Sequence, residues 1–216
     1  MNQYYSEFSG YLISEDREKC IGFVLSMLNS NAVNIVTLYE EILTPALNSM
    51  VCKAGDNHVC IWEEHIRSSI IRTIIECCYP YILRQKTALE GKVPKIAVIC
   101  PDGEYHELGA RMAADFFTLC GYNSIFIGGS TPKDEFINAI NYLDLDCIAI
   151  SVTNSYNLVA AKNTIDRIKA VCSKPVKIYA GGSAFKTQPE LYKKIGADLL
   201  VNSFEDIKKT TDMLEA

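Results

Sequence analysis

The hydrophobic pattern of the chain changes near Gly91-Lys92-Val93-Pro94, and this change constrains the fold more than any other feature of the sequence. Before this point, apolar residues recur at the spacing of an amphipathic helix. After it, short apolar runs alternate with longer segments of helical periodicity, which predicts buried parallel strands joined by helices. We therefore expect an N-terminal helical bundle over residues 1–91 and an α/β domain over residues 92–216.

Three main helical segments are predicted before this boundary. The first follows Ser14, a candidate N-cap, and the second covers residues 33–51, with a kink expected at Pro45. The third is expected to begin after a cap at residues 55–57 and to run to about Cys78, where Tyr79-Pro80-Tyr81 either ends it or kinks it before a last short turn. Helices of this number and length suggest a small antiparallel bundle.

Beyond the boundary, the near-continuous apolar runs are typical of a sheet that is covered on both faces. The predicted strands are Lys95–Cys100, Ser124–Gly128, Cys147–Val152, Val176–Ala180 and Leu199–Asn202. The predicted helices are Glu107–Cys120, Lys133–Tyr142, Val159–Cys172, Pro189–Ile195 and Phe204–Leu214. The fold class is therefore α/β, with an N-terminal helical bundle followed by a five-stranded, doubly wound parallel sheet of flavodoxin or Rossmann type.

A histidine motif follows the first predicted strand. Glu104, His106 and Gly109 form an E-x-H-x-x-G pattern just after the apolar run that ends at Cys100. In open α/β sheets, ligands bind in the crevice at the carboxyl ends of the strands. A histidine there can ligate a metal while a carboxylate accepts from its second ring nitrogen, and a glycine lets the backbone approach a bulky group. The motif therefore predicts a cofactor site at this edge of the sheet.

Polar residues and glycines also follow other strands. Ser151 and Thr153 follow the third predicted strand, and Gly181 and Gly182 follow the fourth. Glycine and serine are common in loops that bind nothing, so each loop alone has an ordinary structural explanation. Their gathering at one edge of the sheet together with His106 favours a ligand crevice.

The sequence lacks the motifs that are typical of several other functions. The G-x-G-x-x-G and G-x-x-x-x-G-K-[ST] loops of dinucleotide and nucleoside triphosphate sites are missing. A net charge of -5 without a basic, aromatic-rich stretch argues against a direct nucleic-acid partner. The nine cysteines are odd in number and form no C-x-x-C, so we expect free thiols. With no signal peptide and no apolar run that could span a bilayer, we expect a cytoplasmic protein without a membrane partner.

The whole pattern resembles cobalamin (B12)-binding modules, in which a helical bundle precedes a Rossmann-type domain. The resemblance is carried by the histidine loop after strand one, Ser-x-Thr after strand three and Gly-Gly after strand four. In that family a histidine replaces the cofactor's own dimethylbenzimidazole below the cobalt. The resemblance implies that His106 is the metal ligand and that Glu104 orients it, with Ser151 as a further candidate for this role. The residues implied to line the slot of the displaced nucleotide tail are Gly109, Ser151, Thr153, Gly181 and Gly182.

The stretch from Gly103 to Gly109 is similar to the cobalamin domains of light-responsive transcriptional repressors, which use adenosylcobalamin. Those domains carry a Glu-His pair on the bundle helix above the corrin, and Glu64-His65 matches that pair. An ordinary, partly buried helix position beside Glu64 is the alternative for His65, and Trp62 is interpreted as a core or interface residue rather than a cofactor lid. Two features differ from those repressors: the sequence starts almost directly in the bundle, and Ala54 stands where they have a tryptophan.

Two cobalamin functions follow from the resemblance. The first is a stand-alone sensor of light or ligand, with adenosylcobalamin as the favoured cofactor and a separate protein partner. The second is a corrinoid carrier that shuttles methyl groups, as methylcobalamin, for a partner methyltransferase. Methyltransferase modules usually carry D-x-H-x-x-G-K, where this chain has Glu104 and Ala110. An α/β domain that binds no corrinoid is the third interpretation. In each case the chain is not expected to be an enzyme by itself, and homo-oligomerisation stays open.

Overall fold

The structure is a computed structural model, which describes residues 3–50, 61–89, 91–172 and 174–212. The chain divides into two compact units, Met1–Arg84 and Gln85–Ala216. Several sequence predictions fall outside the described residues: the helix cap at 55–57, the comparison at Ala54, and the thiols of Cys52 and Cys60. Among the described helices, none is long and apolar enough to cross a membrane.

The first unit consists of helices over its described residues. They are α1 Gln3–Ile13, α2 Arg17–Asn29, α3 Ile35–Thr37, a π-helical stretch Leu38–Leu43, α4 Thr44–Ser49 and α5 Ile61–Gln85. The predicted N-terminal helical region is confirmed. Helix α1 was not predicted, because aromatic residues and Gly10 give this segment a weak intrinsic helix propensity. Burial of Phe8 and Leu12 outweighs that weakness.

The start of α2 differs from the prediction. Ser14 is not its cap, because the Ser14 hydroxyl donates to the Tyr11 carbonyl oxygen at the end of α1 over 2.9 Å. Asp16 caps α2 instead, and its Oδ1 accepts from the Lys19 amide at 3.0 Å. A carboxylate at this position also interacts favourably with the positive end of the helix dipole.

A π-helical stretch precedes Pro45, while the kink predicted at this proline stays a prediction. Pro45 lies in the first turn of α4, directly after that stretch. The Thr44 amide bonds to the Tyr39 carbonyl, which is the wider hydrogen-bonding pattern of a π-helix. A wider turn before Pro45 is physically reasonable, because a proline ring crowds the preceding turn and offers no amide hydrogen.

Helix α5 extends beyond Cys78. Of the two outcomes expected at Pro80, an end or a further short turn, the structure shows continuation, and the helix runs to Gln85. Proline removes one helical hydrogen bond and crowds the preceding turn. On either side of Pro80, however, Cys78 and Ile82 are fully buried, and this tertiary packing holds the helix together.

The second unit alternates strands and helices. Its strands are β1 Lys95–Ile99, β2 Asn123–Gly128, β3 Cys147–Ser151, β4 Lys177–Gly181 and β5 Leu199–Leu200. Its α-helices are α6 Leu108–Leu119, α7 Lys133–Leu143, α8 Leu158–Val171, α9 Leu191–Lys194 and α10 Phe204–Asp212. All strand pairs are parallel, in the order β2-β1-β3-β4-β5. The predicted fold class is confirmed.

The sheet is covered on both faces. On one face, residues of α7 and α8 pack against alternate residues of the central strands; the cluster includes Phe136, Ile140, Ile165, Ile168, Ile99, Ile148, Ile150 and Ile178. On the other face, Phe117 of α6 stacks on Tyr179 of β4 with ring centroids 6.0 Å apart. Phe116 of α6 meets Phe204 of α10 edge-on at 5.4 Å. This two-sided burial explains the near-continuous apolar strands.

The strand order determines where a crevice can form. The chain passes from β1 to β2 on one side and later enters β3 on the other side of β1. The loop after β1 therefore lies between the loops after β2 and β3, at the topological switch point of the sheet. In open α/β sheets this is the place where ligands bind.

Candidate functional site

The loop after β1 brings Glu104 and His106 into direct contact. Gly103 turns the chain with a φ of 79°, a conformation that favours glycine. Glu104 Oε1 accepts from the His106 amide at 3.1 Å and lies 2.7 Å from His106 Nδ1. The Glu104 side chain is 1% exposed, whereas the His106 side chain is 56% exposed. The carboxylate is thus fixed inside the protein while the imidazole reaches solvent.

The second oxygen of Glu104 is bound by the segment that follows β3. Glu104 Oε2 accepts from the Thr153 amide at 3.0 Å and from the Asn154 amide at 2.9 Å. It also accepts from Asn157 Nδ2 at 3.0 Å. Asn157 donates in addition to the Gly103 carbonyl oxygen at 3.3 Å. The carboxylate therefore bridges the loops after β1 and β3 across the switch point.

These contacts keep Glu104 ionised. Burial raises the pKa of its carboxyl, but hydrogen bonds from Asn154, Asn157 and His106 outweigh burial and hold the pKa below its ordinary value. An ionised carboxylate only accepts hydrogen bonds, so Nδ1 of His106 must be the donor. In a neutral imidazole with its proton on Nδ1, the lone pair lies on Nε2, and this nitrogen can bind a metal.

A second carboxylate holds the same loop on its other side. Glu107, directly before α6, accepts through Oε2 from the Gly129 amide in the loop after β2, at 3.0 Å. The contact is close, because a Cβ added at Gly128 would lie 2.9 Å from Glu107 Oε2. A Cβ added at Gly129 would lie 2.8 Å from the Glu104 carbonyl oxygen. Glycines after β2 therefore leave room for the histidine loop.

Gly181 and Gly182 lie where β3 and β4 end side by side, with Ser151 paired to Gly181. A Cβ at Gly181 would lie 2.4 Å from the Val201 carbonyl oxygen. A Cβ at Gly182 would lie 2.4 Å from the Val152 carbonyl oxygen, and Gly182 has a φ of 105°. The close approach of neighbouring backbone thus explains both glycines. Their predicted role in lining a tail slot stays a prediction.

Gly109 has a different environment. It is the second residue of α6, and a Cβ added to it would meet no atom within 4 Å. Open space beside a helical glycine, three residues after His106, suits the approach of a bulky group. Ser151 and Thr153 are both partly buried at the same edge of the sheet. Thr153 is tied to Glu104 through its backbone amide.

The predicted upper-face residues lie on α5 in the first unit. Glu64 is partly buried and His65 is exposed. Trp62 is 57% exposed, so it is not a core residue of this unit. The role of Glu64 and His65 above a cofactor stays a prediction.

Cys100 lies at the end of β1, beneath the histidine loop, and is fully buried. Burial, together with the nearby carboxylates of Glu104 and Glu107, raises the pKa of its thiol to about 12. Cys100 therefore stays protonated and acts as a small apolar residue. Across the described parts of the chain, no group of three or more His, Cys, Asp or Glu side chains is arranged to hold a metal ion.

Some residues of the site had no recognisable sequence signal. Asn157 is one of them, since nothing in the sequence indicates that its side chain reaches a carboxylate 53 positions earlier. The amides of Thr153 and Asn154 are likewise brought to Glu104 only by the fold. Glu107 stands beside the motif histidine, so its position could have suggested a role.

A doubly wound α/β domain with a carboxylate-bound histidine at its switch point has the features of a cofactor-binding domain. The family model of the B12 binding domain matches residues 94–209, which is more than half of the chain. The chain therefore belongs to the B12-binding domain family and is a cobalamin-binding protein, as the resemblance in its sequence predicted. No curated protein is significantly similar to its sequence.

Solved structures share the architecture. The monomethylamine corrinoid protein of Methanosarcina barkeri aligns over 99% of this chain and 100% of its own, with a TM-score of 0.79 and 13% identity. The methanol:cobalamin methyltransferase complex of Methanosarcina barkeri aligns over 99% of this chain and 80% of the matched chain, with a TM-score of 0.51 and 12% identity. At these identities the likeness establishes a shared fold.

Proposed function

We propose that the protein is a corrinoid carrier, which binds cobalamin with the nucleotide base displaced and exchanges methyl groups with a separate methyltransferase. The family match supports the cofactor. The two similar folds, a corrinoid protein and a methyltransferase complex, favour the carrier over the sensor. The observation that carries the proposal is the 2.7 Å contact between Glu104 and His106 at the switch point.

The residues present fit a corrinoid. A corrin brings nitrogen ligands of its own, so a single nitrogen from the protein would be sufficient. His106 can provide it, because Glu104 occupies Nδ1 and the ring is more than half exposed. The open space beside Gly109 lies at the second residue of α6, three positions after this ligand.

In this proposal, the protein binds and orients the cofactor, and the cofactor carries the reactive centre. Bound cobalamin supplies a cobalt centre that accepts and releases a methyl group. His106 would hold the cobalt through Nε2. Glu104 holds the proton on Nδ1 and fixes the plane of the imidazole, while Asn157 and the amides after β3 keep Glu104 ionised and in place.

The sensor interpretation depends on the first unit. It requires Glu64 and His65 to act above an adenosylcobalamin and requires light to change the assembly or a partner contact. A ligand shifts such an equilibrium only through different affinities for the two states. The two interpretations share His106 and differ in their dependence on His65 and light.

The decisive probe is cob(II)inamide, a corrinoid without the nucleotide tail, because any axial nitrogen must then come from the protein. We expect the electron paramagnetic resonance spectrum of the wild-type complex to show coupling to one nitrogen. His106→Ala should abolish the coupling, whereas His65→Ala should retain it. Binding without nitrogen coupling in the wild type would exclude the histidine ligand, and failure to bind any corrinoid would exclude the carrier and the sensor together.

Illumination separates the carrier from the sensor. The adenosylcobalamin complex is passed over a size-exclusion column in the dark and after green light. We expect the same elution volume in both conditions for a carrier. A light-dependent elution volume that is lost in His65→Ala would support the sensor instead.

A further inference from the structure

We propose that Glu107 is a second positioning residue for His106, which anchors the histidine loop to the loop after β2. This inference rests on the proposed role of His106 as a cobalt ligand. It assigns a function to a residue at an unspecified position of the E-x-H-x-x-G pattern, directly after the histidine.

The geometry of the three loops carries the inference. Because β1 lies between β2 and β3, the histidine loop has a neighbouring loop on each side. Glu104 reaches one neighbour through the Thr153 and Asn154 amides. Glu107 reaches the other through the Gly129 amide at 3.0 Å. His106 therefore stands in a short segment that is tied at both sides of the switch point.

Two glycines, Gly128 and Gly129, provide the space for the contact between Glu107 and the Gly129 amide. Gly128 has a φ of 82°, and a Cβ there would come within 2.9 Å of Glu107 Oε2. Gly129 lies against the Glu104 backbone, where a Cβ would come within 2.8 Å of the carbonyl oxygen. Both glycines permit the histidine loop and the loop after β2 to lie in direct contact, so that a backbone amide can donate to the carboxylate.

Glu107 also connects the loop to a helix. It immediately precedes α6, and its carbonyl oxygen accepts from the Arg111 amide at 2.9 Å. This backbone bond holds Glu107 at the start of α6, and its side chain adds the contact with Gly129. Without that side-chain contact, the segment that carries His106 would keep only its contacts with the segment after β3. The expected result is a histidine that samples positions too far from the cobalt for a bond.

The test compares three variants by the spectrum of bound cob(II)inamide and by the dissociation constant for cobalamin. Glu107→Ala removes the acceptor, and we expect cobalamin to bind about tenfold more weakly, with reduced nitrogen coupling in the bound corrinoid. Glu107→Gln keeps an oxygen that can accept from Gly129, and we expect near wild-type values. Glu135→Ala is the matched control, because Glu135 is an exposed residue of α7.

Hydrogen exchange of the Gly129 amide provides a readout that needs no cofactor. We expect this amide to be protected in the wild type and in Glu107→Gln. This comparison does not use Glu107→Ala, so it remains informative if that variant fails to fold. Full nitrogen coupling and unchanged affinity in Glu107→Ala would overturn the inference, and so would an unprotected Gly129 amide in the wild type. A wild type that shows no nitrogen coupling would contradict the proposed function, and with it the positioning role of Glu107. If the Gly129 amide of that protein were still protected, the hydrogen bond between Gly129 and Glu107 would nevertheless be supported.

Discussion

Glu104 shows how a buried acid can be stable in an α/β domain. Its side chain is almost completely buried, and burial alone would favour the neutral acid. Donors from the loops after β1 and β3 reverse that preference and lower the pKa. The ionised carboxylate thus contributes to the stability of the fold and also contacts the histidine of the candidate site.

This arrangement predicts how stability depends on pH. Because the folded-state pKa of Glu104 is lowered, its contribution is present above its unfolded pKa of about 4.3 and is lost as pH falls through the folded value. Glu104→Gln places an amide against backbone donors, and we expect it to reduce the free energy of unfolding at pH 7 by about 1–3 kcal/mol. The difference from wild type should shrink below pH about 4.3, as measured by urea unfolding of the cofactor-free protein.

The exposed Glu135→Gln is the control for this experiment, and it should change the free energy of unfolding by less than about 0.5 kcal/mol. A deficit of Glu104→Gln that stays constant from pH 7 down to the acid limit would contradict the argument.

At the residue scale, the sequence predicts the acid and the histidine but not what holds them. The E-x-H-x-x-G pattern points to Glu104 and His106, because a strand end and a ligand-type residue coincide there. The donors to Oε2 of Glu104 come from positions 49 to 53 residues later. No local pattern records such contacts, since they exist only after β1 and β3 have paired.

Gly109 of helix α6 is expected to have opposite effects on the stability of the cofactor-free protein and on cofactor binding. Gly109 in its first turn has open space beside it, and glycine lowers helix stability relative to alanine. A glycine that is unfavourable to the helix and unneeded for packing is consistent with a position reserved for the cofactor.

We therefore expect Gly109→Ala to stabilise the cofactor-free protein by up to about 1 kcal/mol and to weaken cobalamin binding. Gly22→Ala in α2 is the matched control, because a Cβ there also meets nothing within 4 Å. It should give a similar stabilisation with unchanged affinity. The two variants are compared by urea unfolding and by spectral titration with cobalamin. Equal affinities in both variants would show that Gly109 does not face the corrinoid.

At the scale of helices and strands, the type of an element is easier to predict than the residues at which it begins and ends. The parallel strands were predictable because their apolar runs are bounded by glycines and polar loops. The length of α5 was not, because Pro80 is compatible with an end or a further turn, and the burial of Cys78 and Ile82 decides between them. The cap of α2 was misassigned because Ser14 and Asp16 are both suitable residues, and only the course of the preceding α1 decides between them.

For the whole molecule, ligand binding should appear as thermal stability. A ligand that binds only the folded state at one hundred times its dissociation constant stabilises it by about 2.7 kcal/mol. For a chain of this size, that corresponds to a rise of about 5–10 °C in the unfolding midpoint. Circular dichroism melts with and without cobalamin check this expectation, and His106→Ala should show a smaller rise. Identical midpoints at saturating cobalamin would contradict it.

The overall architecture was the most predictable property, because a change of hydrophobic period extends over many residues and averages out local ambiguity. The family match then covers the α/β unit. The choice between carrier and sensor was not predictable in the same way, since both use the same histidine and differ in residues of the bundle.

The paired glycines where β3 and β4 end have a consequence for comparing distant relatives. Each is held against a neighbouring carbonyl oxygen, so every other amino acid would displace the backbone at that point. The 13% identity to a protein of the same fold leaves few shared residues from which to align the two sequences. We therefore expect chains of this fold that bring their backbones equally close to carry glycine at the positions of Gly181 and Gly182, which would make the pair a reference point for aligning distant sequences.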